Sequence, residues 1–330
     1  MANNPLPSRK LLSEEEVLSC AELKRCSEEW LLSCQIEQHS NATLANRRLI
    51  LKNFFWFLNH AELPTCGLTE LRRFFAYFST AHTNPEGRWG NPQEKTPVKP
   101  STVATYHRQL KTFFNWIVSE GYLSVSPMDR IKAPIDRPDA IQPFTYEQID
   151  ALLGAAKRSR MSLRDEALIL FLWDTGARAS ELCSMRFRDV DLHTRQATIV
   201  EGKGGKSRTI YLGNRVTKAL FQYLKRDKRE PEDALFLSER GDALTRSGLQ
   251  RILERLEKEA GLTGVRCSPH TFRHTFAVSF LRNGGNQFSL MTMLGHTDLK
   301  MTARYVQLAQ ADIEKQHRSF SPADRQKGGR

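Results

Sequence analysis

SPHTFRHTFA, residues 268–277, opens as a helix should. Ser268 can cap it, and Pro269 suits the first helical position, where a missing N–H costs nothing. Residues three and four apart are neighbours on a helix, so His270, Arg273 and His274 share one face. Phe272 and Phe276 lie toward another. A zinc ion would accept the two imidazoles but not the arginine between them. The metalloprotease spacing also needs Glu directly after the first histidine, where Thr271 stands. A phosphate would accept the arginine and at least one histidine. His274 by itself reads as a packed or hydrogen-bonded structural histidine.

The 330 residues suggest two domains, and the 40% apolar and 26% charged content is that of a soluble globular protein. No apolar run is long enough to span a membrane, and the N-terminal MANNPLPSRKLLSEEE lacks the apolar middle of a signal peptide. A cytoplasmic, nucleoid-associated protein is expected. The six cysteines, Cys20, Cys26, Cys34, Cys66, Cys183 and Cys267, form no CxxC pair, which argues against a zinc framework or disulfides. Lys and Arg outnumber Asp and Glu by 49 to 37, a net charge of +12 that favours a polyanionic partner without choosing among DNA, RNA and membrane headgroups.

Four helical patterns fill the first 125 residues. A capping box at Ser13–Glu16 opens the first, through about Glu37; residues 43–60 and 68–82 make the next two; Ser101 caps the fourth. Residues 84–100, rich in Gly, Pro and charge, read as a loop whose Arg88, Lys95 and Lys99 could meet DNA. Basic residues decorate the apolar stripes (Arg47, Arg48, Lys52, Arg72, Arg73, Arg108 and Lys111), and of these Arg47, Arg48, Lys52, Arg108 and Lys111, with Lys206 and Arg208 further along the chain, are candidate DNA contacts. Four prolines in residues 126–143 suggest an extended linker. The second part begins with the capping box Thr145/Gln148. It continues through RQATIVEGKGGKSRTIYLG, two β-rich runs around a glycine-rich bend, to a helix with Leu249, Ile252, Leu253 and Leu256 on one side.

Taken singly, the candidate site residues are unremarkable. Arg178, in DTGARASEL, could simply pair with Glu181 one turn on. Lys203, at the bend of EGKGGKSR, could be a solvated hairpin tip or a finger for a phosphate, with Lys206 and Arg208 adding charge beside it. His296, after Leu294-Gly295, suits a helix end, and Tyr305 suits a helix half-buried in a core.

Their order is more telling. TGARASEL, the GKGGK hairpin, HTFRH, LGH and then a tyrosine nine residues past that histidine together resemble the tyrosine recombinase (phage integrase) family. The resemblance spans the chain beyond about residue 10. It implies a mainly α fold with a small β-sheet: a four-helix, SAM-like core-binding domain at residues 13–127, a linker at 128–143, and an α+β catalytic domain at 144–318. Residues 1–12 and the basic tail 319–330 are expected to be disordered.

The family's roles then fall on named positions. Arg178 and Arg273 contact the scissile phosphate, Glu181 supports the first of them, Lys203 (with Lys206 as its competitor) is the general acid, His270 and His296 assist, and Tyr305 is the nucleophile. The partner implied is double-stranded DNA with inverted-repeat half-sites, held by a homotetramer on two sites with a possible accessory DNA-bending protein or second recombinase. Strands exchange through a Holliday junction, and no metal, ATP or other cofactor is implied. The segment after Tyr305 resembles the helix that such enzymes dock on a neighbouring protomer; packing on its own domain is the alternative. The rivals are a type IB topoisomerase, a catalytically silent DNA-binding protein of the same fold, and a zinc hydrolase on His270 and His274.

Overall fold

A computed structural model describes residues 17–135, 142–200, 207–226, 228–295, 305, 317–318 and 321–325. The chain divides into two units, Met1–Asp139 and Ala140–Arg330.

In the first unit, β1 (Leu18–Ser19) pairs antiparallel with β2 (Thr65–Cys66). Four helices, α1 (Cys20–Ile36), α2 (Asn41–His60), α3 (Leu68–Ser79) and α4 (Pro100–Ser119), enclose an aromatic core. Phe54, Phe74, Phe113 and Phe114 are fully buried, and Phe54 meets Phe74 edge-to-face at 5.1 Å, the arrangement ring quadrupoles favour. A capping box at Ser19/Glu22 opens the first helix, each accepting the other's backbone N–H, while Ser13–Glu16 lies outside the described residues. Pairing of Leu18 and Ser19 with the second strand keeps them extended, so the helix can only begin after them. The α4 helix starts at Pro100, because proline's preset φ serves the first turn, and Ser101 lies inside the helix instead of capping it.

Three expectations for this unit change. The stretch read as linker from residue 128 begins inside the core, where the 3₁₀ turn Pro127–Arg130 buries Met128 completely. Arg88 is not a surface contact: it is 5% exposed, donates to the Thr96 carbonyl and lies over the Phe78 ring. Arg47 is likewise buried. Its guanidinium stacks 4.6 Å over Trp30 and donates to Gln109 Oε1 and Cys34 Sγ, so it holds α1, α2 and α4 together and presents no charge to DNA. Arg48, Lys52 and Arg108 are exposed, and Lys111 pairs with Asp129 at 3.1 Å.

The second unit contains α5 (Tyr146–Arg158), α6 (Ser162–Thr175), α7 (Ala179–Ser184), α8 (Asn214–Leu224), α9 (Arg246–Glu259), α10 (Pro269–Arg282) and α11 (Gln287–Leu294). A three-stranded antiparallel sheet, β3 (Val190–Asp191), β4 (Gln196–Val200) and β5 (Ser207–Tyr211), runs in that order. Its β4 and β5 runs are the hairpin expected from the sequence, paired from Gln196↔Tyr211 to Val200↔Ser207. Helix α6 is apolar on all sides and buried from Ala167 to Leu172, as a central helix must be. The ion pair Arg164–Asp165 in its first turn, at 2.7 Å with neither residue more than 1% exposed, leaves no periodic trace in sequence. Arg255 at 2.6 Å and the Ser159 hydroxyl complete the acceptor capacity of Asp165. All six cysteines are free thiols, and among the described residues no helix is long and apolar enough to cross a membrane.

Candidate active site

Helix α6 ends at Gly176, which adopts the left-handed conformation (φ +59°) with its N–H on the Leu172 carbonyl. An added Cβ would lie 2.7 Å from Phe276 and 3.0 Å from Leu294, so both backbone sign and space require glycine. The tight stop delivers Arg178 to the position just before α7. Gly176→Ala should therefore lower the melting temperature by about 3–8 °C, the consequence of roughly 1–2 kcal/mol of left-handed strain in a unit of this size. Calorimetry showing no change would contradict this geometry.

Glu181, the third residue of α7, binds the site's cations together. Its Oε2 accepts the backbone N–H of Arg178 and Oε1 accepts its Nη1, each at 2.7 Å. Arg208, reaching from β5, forks onto the same two oxygens at 2.9 and 2.8 Å. Burial alone would push the Glu181 carboxyl up; hydrogen bonds from Arg208 and Arg178 outweigh burial and hold it below its ordinary 4.5. A lowered carboxyl contributes stability above its unfolded value and loses it as pH falls through the folded one. Stability should accordingly fall on the acid side of about pH 4.5, and Glu181→Gln should flatten that limb of the Tm–pH curve while lowering Tm at pH 7. Parallel curves for the two proteins would refute this linkage.

The C-terminal end of α11 gathers three arginines. Gly295 stops that helix in the left-handed conformation (φ +64°). Its last carbonyls then take one guanidinium each: Met293 O from Arg208 Nε (2.9 Å), Leu294 O from Arg273 Nη2 (2.6 Å) and Gly295 O from Arg178 Nη2 (3.3 Å). These are the orphan acceptors at the negative end of a helix dipole, where cations belong. Arg273 also donates to Gly176 O at 2.9 Å, tying the two helix ends together. It is 5% exposed, and burial followed by the nearby Arg178 charge brings its pKa down to about 10. Among the described residues, three guanidiniums gather here around one carboxylate.

Tyr305 lies at the same place. It is helical, 5% exposed, and packed with Ala277, Val278, Leu281, Leu290 and Leu294. Its ionised oxygen would couple to Arg273, raising that group's proton affinity. Exposed His270 is 3.2 Å, Nε2 to Nε2, from buried His274, whose ring abuts Tyr305 at 5.0 Å. Arg178, Glu181, Arg273, His270 and Tyr305 thus come together. Lys203, Lys206 and His296 lie outside the described residues. Among the described residues, no group of three or more His, Cys, Asp or Glu could hold a metal ion.

Arg208 is the member that sequence reading misplaced as a loose DNA contact. It is 10% exposed and serves as the second counter-ion of Glu181. The signal was available: two residues before buried Ile210 on a strand, it must share the inward face, where a cation needs an anion.

Residues 142–312 match the Phage integrase family. Tyrosine recombinase XerD of Listeria monocytogenes is 33% identical over 230 residues, which cover 68% of this chain and 77% of that protein. Tyrosine recombinase XerC of Roseiflexus castenholzii is 32% identical over 267 residues, covering 78% and 83%. In fold, the chain is similar to the Tn1549 transposon integrase in complex with a circular intermediate DNA (TM-score 0.69, 19% identity, 91% of this chain and 99% of that one). It is also similar to the XerH site-specific recombinase bound to palindromic difH substrate (TM-score 0.67, 19% identity, 90% and 84%). The chain belongs to the phage integrase family. Its activity is that of a site-specific tyrosine recombinase acting on DNA.

Proposed function

We propose that this recombinase cuts and rejoins DNA through a 3′-phosphotyrosyl link to Tyr305. The observation that carries the assignment is a buried tyrosine coupled to Arg273 in a cluster of three arginines gathered around one carboxylate. A phosphodiester carries one negative charge and gains more on its nonbridging oxygens as a phenol oxygen attacks. Arg178, anchored by Glu181 and the Gly295 carbonyl, and Arg273, anchored by two carbonyls, are fixed in place beforehand, and they take up that charge without reorganising. The phenol proton passes to His270 or His296, the phenol oxygen bonds to phosphorus, and the P–O5′ bond breaks. Lys203, with Lys206 as the competing candidate, supplies the proton to the departing 5′ oxygen.

The covalent ester conserves the bond energy, so a second strand's 5′ hydroxyl can reverse the step with no ATP. In this reading four protomers on two inverted-repeat sites exchange strands pairwise through a Holliday junction. Arg48, Lys52 and Arg108, exposed on α2 and α4, supply phosphate contacts from the first unit. The +12 charge fits such a partner, and nucleoid-bound cytoplasmic DNA is the setting. Integration, excision and chromosome-dimer resolution share this chemistry.

The deciding experiment incubates the protein with a nicked random-duplex library, isolates SDS-resistant adducts and sequences the captured DNA. The nick lets the short cleaved piece leave, so the adduct accumulates. Adducts on a common pair of inverted half-sites support the reading. DNA binding without any adduct would mean that this chain binds and does not cut.

A further inference from the structure

Between exposed His270 and Tyr305 sits a second imidazole that the reaction scheme leaves idle. His274 follows His270 by one turn of α10 and is 4% exposed. One side of it faces His270: the rings are nearly perpendicular (81°), 4.5 Å apart, and the two Nε2 atoms are 3.2 Å from each other. The other side faces the Tyr305 ring at 5.0 Å and 62°. One buried side chain therefore touches both the histidine assigned to proton handling and the tyrosine assigned to attack.

Two imidazoles meeting Nε2 to Nε2 must share a single hydrogen on that line, since two N–H groups would repel and two lone pairs would not bond. Either way, the Nε2 of His270 is committed to its neighbour. The bond holds the imidazole against rotation about its side-chain torsions. The ring contact with Tyr305 does the same for the phenol by edge-to-face packing.

We propose that His274 is a positioning residue for strand cleavage: it pins the His270 ring in place, and it forms the wall against which the Tyr305 phenol is aimed. This rests on the reading of Tyr305 and His270 above. The role is analogous to the carboxylate or carbonyl that orients a catalytic imidazole elsewhere, with a buried histidine in its place.

Two substitutions separate the hydrogen bond from the packing. His274→Phe keeps a ring beside Tyr305 but cannot bond His270. His274→Gln places an amide near the former Nε2, restoring a donor or acceptor with no ring. Single-turnover cleavage of nicked DNA should fall about 10- to 100-fold in the Phe variant, with DNA affinity within about twofold, and the Gln variant should recover to within about fivefold of wild type. Full activity in the Phe variant, or a Gln variant worse than Phe, would reduce His274 to packing.

A second readout needs no activity. Long-range ¹H–¹⁵N spectra of the free protein, with the His270 signals identified by their loss in His270→Gln, should show an Nε2 in a hydrogen bond that disappears in His274→Phe. Unchanged His270 nitrogen shifts would overturn the proposal. If the Phe variant does not fold, the wild-type spectrum and the Gln variant decide alone. If wild type forms no adduct while the imidazole pair is seen in the spectrum, it is the cleavage reading that fails, not the pairing.

Discussion

Tyr305→Phe should abolish covalent capture of nicked DNA, a loss of more than about 10³-fold, and leave DNA affinity within about twofold. The substitution removes one oxygen from a ring held in an apolar cluster by Ala277, Val278, Leu281, Leu290 and Leu294. Phenylalanine fills the same volume, so neither the cluster nor the three arginines beside it should move. Such a result separates chemistry from binding. Electrophoresis in SDS checks it on duplexes nicked close to the site, and gel shift checks affinity on the same DNA. Adducts persisting in the variant would mean that another tyrosine attacks.

Arg273→Lys should lower single-turnover cleavage by about 10²–10³-fold while weakening DNA binding far less. The guanidinium donates Nη1 to Gly176 O and Nη2 to Leu294 O, and its planar fork carries more N–H groups than those two bonds use. An ammonium has one nitrogen and cannot reach both carbonyls and a phosphate together. The variant keeps the charge but loses the fork, so its defect should grow as charge develops in the transition state. It should also melt a few degrees lower, because two buried carbonyls lose their donor. A lysine variant cleaving at the wild-type rate would reduce Arg273 to a cross-link between the ends of α6 and α11.

The mainly helical plan and the β4–β5 hairpin were legible in the residues, as was the Thr145/Gln148 cap, whereas the β1–β2 pair was not. Period and capping chemistry are local, so a single sequence carries them. The misreadings are local rules overridden from a distance. The first helix was expected to run unbroken through residues 18–19, but these pair as a strand with residues 65–66, and the helix opens on the Ser19/Glu22 box. Arg47 and Arg88 look like surface cations, and partners far along the chain bury them: Gln109 and Trp30 for one, Phe78 for the other. Proline-rich letters after residue 126 suggested a linker, whereas Met128 fills a hole that other helices create.

The site divides along the same line. The sequence by itself determined the cast: an arginine before a short helix with Glu181 one turn on, histidine and arginine on one face of α10, and a tyrosine further along. It did so because each is set by spacing within one element. Only tertiary structure decided how the cast is wired. Arg208 arrives from a strand to share Glu181, and three arginines from separate elements end on consecutive carbonyls of α11. Those acceptors are backbone atoms with no letter in the sequence. They become available only where Gly295 unwinds the helix, and the arginines reach them only when the fold brings that end to them.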